Sequence, residues 1–213
     1  MSVTDQAVLT EVQYALVEPT VDGGVTWSAL WTASEVITAL NRRQSQFLKE
    51  TAALVTRTTL VTIPNTTRHT LPADWLVTIS AAWQRPDGTS YPLWASTEFE
   101  ADAAAATWEY GAQRDPLAST EVELPTLQIQ VLPPSSDAGQ IDLLYTALGA
   151  ALSNTGVPLT VPDDCVWIVK WGVLAELLNN VGRSADPQRA AYAERRYRLG
   201  VQLVQQILIG GWY

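Results

Sequence analysis

The residues best equipped for chemistry in this chain are one histidine, one cysteine and a few closely spaced carboxylates. His69 is the only histidine, so a site needing two imidazoles cannot form and the usual zinc spacings lack their second His. It falls in a Thr-rich turn or strand edge and reads as an ordinary surface residue. Cys165 is the only cysteine, which rules out an intramolecular disulfide. Asp163 and Asp164 beside it oppose the thiolate that a helix N-terminus would otherwise favour, so an inert, core-filling thiol is expected. The acidic groups Glu98, Glu100 and Asp102, and Glu121 with Glu123, are the right residue type for glycoside hydrolysis. That reaction needs two carboxylates facing each other across a cleft, which neighbours on one exposed helix or strand do not provide. Gly23-Gly24 and Gly210-Gly211 lack the spacing and the strand-to-helix setting of a phosphate loop. No catalytic residue, metal site or cofactor is expected.

Binding chemistry is better represented. Nine Trp and seven Tyr are many for 213 residues, and Trp75, Trp83, Tyr91 and Trp94 fall on two adjacent predicted strands. Such a platform would suit a glycan-binding module; a packed sheet face is the plainer reading. Nucleic-acid binding is disfavoured by the net charge of −9, because counterion release needs a stripe of Lys and Arg. The charge is unevenly spread: residues 54–148 carry eleven acids against four bases, residues 183–213 five bases against two acids. The N-terminus lacks the basic start and apolar run of a signal peptide, and no apolar run is long enough to span a bilayer. A soluble protein with no membrane contact is expected.

The elements that carry these residues follow from periodicity and punctuation. Thr4 caps a helix over 5–17, with Val8, Val12 and Leu16 at helical spacing and Glu18-Pro19 ending it. Thr32-Ala33-Ser34-Glu35 is a capping box that opens a second helix over 33–53. From Leu54 the period changes to strands: 54–63, then 75–83 and 89–94 joined as a hairpin through Arg85-Pro86-Asp87-Gly88. Thr97 to Glu100 is another capping box, for a short acidic helix to about residue 110. Strands 126–132 and 140–147 flank Pro133-Pro134 and are expected to pair as a second hairpin. Pro162-Asp163-Asp164 opens a third long helix that Gly182 closes, and Asp186-Pro187 caps a final helix to about residue 209. The fold class is therefore α+β: a helical bundle from the N- and C-terminal helices with an inserted antiparallel β-rich domain. The divisions are 1–53, 54–148 and 149–213.

The final helix carries two apolar stripes. Ala190, Ala193, Tyr197, Val201, Val204 and Leu208 form one, and Tyr192, Leu199, Leu203 and Ile207 form a second roughly opposite. Arg195, Arg198, Gln202, Gln205 and Gln206 make a narrow polar strip, and Arg189 and Arg196 edge the second stripe. Either both stripes are internal to the domain, or one packs within the subunit and the other on a neighbour.

At this level the chain resembles the head-to-tail adaptor (neck, or tail-tubular-protein-A-like) proteins of tailed bacteriophages. Four segments carry the likeness. They are Trp31 to Val36 with Leu40 to Gln44 and Phe47; Leu71-Pro72-Ala73-Asp74-Trp75-Leu76 leading through Asp87-Gly88 to Pro92-Leu93; Leu132-Pro133-Pro134 followed by Gly139 to Tyr145; and Leu159 to Asp164, Gly172 to Leu178 and Asp186 to Ala190 with Tyr192, Arg196-Tyr197 and Gly200-Val201.

The resemblance implies a non-enzymatic virion protein, assembled in the host cytoplasm. It implies a ring, commonly of twelve copies, between the portal and the tail or nozzle proteins, with the bundle and C-terminal segment on the portal. DNA would be only the passing content of the channel, and acidic walls would let it slide without sticking. Arg183, Arg189, Arg195, Arg196 and Arg198 are the expected contacts to the portal or a neighbouring subunit, with Trp212 and Tyr213 as terminal anchors.

Overall fold

The computed structural model describes residues 2–16, 30–97, 99–100, 103, 115–122, 126–180 and 185–210. The expected turn at 21–24, most of the acidic helix after Thr97, Gly182, Arg183, Glu98, Asp102, Glu123, Trp212 and Tyr213 lie outside the described residues. The chain is a mixed α+β protein that divides into two compact units, Met1–Leu54 with Leu148–Tyr213, and Val55–Ala147.

The first unit is helical. Helix α1, Asp5–Leu16, buries Val8, Leu9, Val12 and Leu16 along one face. Helix α2, Ala33–Thr51, starts at the predicted capping box: the Thr32 hydroxyl accepts the Glu35 N–H, and the Glu35 carboxylate accepts the Thr32 N–H at 2.7 Å. It ends at Ala52, a left-handed residue with φ of 52° whose N–H donates to Leu48 O. A single 3-10 turn, Asp163–Cys165, precedes α3, Val166–Asn179, which is buried on nearly every side. Helix α4, Pro187–Gly210, follows the expected cap: the Asp186 carboxylate accepts the Arg189 N–H at 3.1 Å, and its carbonyl accepts the Ala190 N–H.

Three side chains hold the loop before α3. Buried Asp5 accepts the N–H groups of Ser153, Asn154 and Gly156 at 3.1, 2.7 and 2.9 Å. Asn41 and Gln44 each make a two-way bond, to the backbone of Leu152 and to Ala150 with Thr160. A segment without its own ladder thus has its polar backbone satisfied by side chains of α1 and α2.

The second unit is a seven-stranded sheet in the order β1-β7-β3-β4-β5-β6-β2. Its strands are β1 Val55–Val61, β2 Arg68–Thr70, β3 Trp75–Gln84, β4 Ser90–Ala95, β5 Ala118–Val122, β6 Gln128–Leu132 and β7 Gln140–Ala147. The β3–β4 hairpin forms as read from Arg85-Pro86-Asp87-Gly88, with Gly88 at φ of 88° and the Asp87 carboxylate accepting the Thr89 N–H. The second expected hairpin does not form. β6 pairs with β5 and β2, and β7 with β1 and β3. Pro133 and Pro134 have no N–H to give a tight turn. The connector is tied instead to the segment after β1: Thr62 N–H donates to Gly139 O, Gly139 N–H to the Thr62 hydroxyl, and Asn65 N–H to Ser135 O. It therefore carries the chain away from β6. The sheet is also not wholly antiparallel, since β4 and β5 run parallel through Trp94↔Ala118 and Ala95↔Ser119.

Candidate assembly surface

Of the groups with catalytic chemistry, Cys165, His69, Glu100 and Glu121 lie among the described residues. Cys165 is half-buried, and burial together with Asp164 pushes its thiol above the usual range, away from the reactive thiolate. Glu100 accepts the Thr97 N–H at 2.9 Å while its own N–H donates to the Thr97 hydroxyl, so it serves as a cap. Glu121 accepts the Thr78 N–H at 3.3 Å. Among the described residues no group of three His, Cys, Asp or Glu could hold a metal ion. His69 is not the surface residue expected: it is 7% exposed on β2, and desolvation lowers its pKa.

The tryptophan platform does not form either. A glycan platform needs exposed ring faces, but Trp83 is 0% exposed and Trp75 is buried, leaving Trp94 as the open member. β3 turns both indoles into the core. Trp83 stacks on Tyr91 with centroids 6.3 Å apart, and Arg85, ion-paired with Asp115, lies over both rings.

The surface that stands out is on α4. Its first stripe is buried, with Ala190, Ala193, Tyr197, Val201 and Val204 facing the unit's interior. The contact is close: a Cβ on Gly200 would lie 2.6 Å from Ile168 Cγ1, and one on Gly172 would lie 2.9 Å from the Tyr197 ring. The second stripe is open, with Tyr192 at 55%, Leu199 at 47%, Leu203 at 53% and Ile207 at 72% exposure. The reading in which both stripes are internal to the domain is thereby overturned. This open face, interrupted by Arg195 and Arg196 between Tyr192 and Leu199, is the candidate interaction surface.

At its Tyr192 end the line packs against α3. Trp171 meets the Tyr192 ring edge-on at 5.6 Å, and the Arg196 guanidinium lies 5.6 Å over the Trp171 ring. Trp167, one turn earlier on α3, is also exposed.

The expected arginine contacts divide. Arg189 donates to Ala15 O at 2.9 Å and tethers α4 to α1. Arg198 pairs with Glu194 one turn back. Arg195 is exposed and, among the described residues, has no ion-pair partner. Arg183, Trp212 and Tyr213 fall outside the described residues.

Sequence reading missed Arg43. Its side chain is largely buried, 3.3 Å from Glu176 of α3 and 3.3 Å from Glu194 of α4, and its guanidinium lies 5.3 Å over the Tyr197 ring. Tyr197 donates to Glu50 at 2.9 Å, and burial beside that carboxylate raises its phenol far above the ordinary range. One arginine of α2 thus knots three helices. The signal was its spacing: three residues after Leu40 and four before Phe47, Arg43 lies on the predicted apolar face of α2.

The long helix α4 thus buries one apolar stripe in its own unit and exposes a second. The chain belongs to the SU10 adaptor protein family, whose model matches residues 6–208. Among solved structures it is similar to a chain in the neck of an empty GTA particle, at 18% identity over 92% of both chains with a TM-score of 0.31. The family model carries the assignment. Among curated proteins no sequence matches the chain. Among the described residues no helix is long and apolar enough to cross a membrane.

Proposed function

We propose that the protein is a structural virion component, a head-to-tail adaptor that forms a ring between portal and tail and continues the channel through which DNA passes. Family membership supports the adaptor role, and the observation that carries the ring is the exposed stripe Tyr192, Leu199, Leu203 and Ile207 on α4. A helix that buries one apolar face within its own unit and leaves a second in water gains from a neighbour that covers it, at about 25 cal/mol per Å² of apolar surface removed. Arg189, Arg195, Arg196 and Arg198 edge or flank that face and are proposed contacts, as are Arg183, Trp212 and Tyr213.

Native mass measurement of the protein with and without portal tests the reading. A multi-copy ring on the portal is the expected result, and a portal that stays bare at saturating protein refutes it. Removing residues 211–213 is expected to weaken portal attachment while leaving the free chain folded; unchanged attachment removes the anchor role of Trp212 and Tyr213.

A further inference from the structure

We infer that the exposed stripe of α4 in one copy seats in an open cleft of the sheet unit of the next copy, a head-to-tail contact between unlike surfaces. The inference rests on the ring reading above and names the surface that the stripe meets.

The cleft encloses about 910 Å³ between β3 and β5, beside the end of β4. The sheet parts there. β4 pairs with β3 only through Ser90 to Leu93, and with β5 only through Trp94 and Ala95. Among the described residues, Thr78 to Ser80 of β3 and Thr120-Glu121 of β5 have no ladder between them. The Glu121 carboxylate takes the Thr78 N–H that a strand would otherwise pair. Ile79 and Trp94 are exposed apolar residues in the lining.

Charge selects a second copy as occupant, and the lengths of the two surfaces are compatible. Residues 199 to 207 of α4 rise about 12 Å, and residues 77 to 81 of β3 extend about 13 Å. Arg195, Leu199, Leu203 and Ile207 follow one another at four-residue steps, so the exposed arginine continues the apolar line. The cleft has Glu121 in its lining, in a unit with eleven acids against four bases, while residues 183–213 hold five bases against two acids. Seating the stripe in the cleft brings Arg195 toward Glu121, the acid in the described lining. Stripe against stripe would instead join two arginine-edged surfaces and close on a dimer, whereas two unlike patches propagate around a ring.

The test uses the Ile79→Cys, Leu203→Cys double variant, assembled with portal and then oxidised, with each single variant reporting any linkage through Cys165. Both positions are exposed, so the fold tolerates the changes. The expected result moves most of the protein from the monomer band into a ladder of covalent multimers, because each copy links to two neighbours. A ring that forms but yields no ladder, or yields dimers through Leu203→Cys alone, overturns the inference and leaves the ring reading standing. Absence of any ring overturns both. In a second measurement, Arg195→Glu and Glu121→Arg each weaken ring formation and together restore it. Losses that simply add count against the contact.

Discussion

At the scale of single residues, His69 and Arg43 show what position adds to residue type. His69 sits in a run of threonines and arginine that reads as surface, yet β2 alternates so that it alone of its three residues faces inward. Its Nε2 is buried and unpartnered among the described residues, so protonation in place costs desolvation. Its folded pKa lies below the ordinary value of 6.5. Between the two values the unfolded chain binds more protons, so stability rises with pH across that window and is lost as pH falls from about 7. The slope has a ceiling of about 1.4 kcal/mol per pH unit for one proton. His69→Gln is expected to flatten the pH dependence of urea unfolding between about pH 7 and 5; an unaltered slope would mean that His69 stays solvated. Arg43→Ala leaves Glu176 and Glu194 without the guanidinium between them and is expected to cost about 2 kcal/mol. Thermal unfolding checks this, and Arg43→Lys should recover only part, since an ammonium cannot fork between two carboxylates.

At the scale of elements, what was legible depended on whether the deciding contact was local. The capping box at Thr32 and the cap at Asp186 are settled within four residues, and both helices begin where those signals stand. The β6–β7 hairpin failed because strand neighbours are chosen over long distances, here by bonds from Thr62 and Asn65 to the intervening loop. β5 went unread although Thr120 and Val122 are β-branched and Pro116 and Pro125 bracket them, because the surrounding acids suggested a solvated stretch. The packing of α3 on α4 was equally hidden, since Gly200 looks like a weak point in a helix. Replacing it with Ala gains up to about 1 kcal/mol of helix propensity. The new Cβ would lie 2.6 to 3.0 Å from three atoms of buried Ile168, and overpacking of that kind costs about 1–3 kcal/mol. Gly200→Ala is therefore expected to destabilise despite the better propensity. In a double-mutant cycle, Ile168→Ala should cost less in the Gly200→Ala background than alone; a purely additive cycle would remove the steric account.

At the scale of the whole molecule, the α4 stripe was visible as a pattern, but its fate was not. An apolar line looks the same in sequence whether a neighbouring helix or water lies against it, and only the exposure of Leu203 and Ile207 decides. Changing Leu199, Leu203 and Ile207 together to Ser is expected to leave the thermal midpoint of the free chain within a few degrees of its original value while abolishing the ring on the portal. A large drop in that midpoint would return the stripe to the core. The division into units sets an order of events as well. The sheet unit, Val55–Ala147, is one continuous stretch, whereas the helical unit needs both ends of the chain. β1 and β7 are paired through Val55↔Thr146, so the chain enters and leaves the sheet at adjacent points. On the ribosome the sheet can fold first. Leu148 to Asn179 then take roughly 2–6 s to add, and Val36, Leu40, Phe47 and Leu48 of α2 wait that long for α3. The sheet unit, with the cleft proposed as receptor, is thus made before the α4 stripe proposed to enter it, so each copy can accept a neighbour before it can offer its own helix.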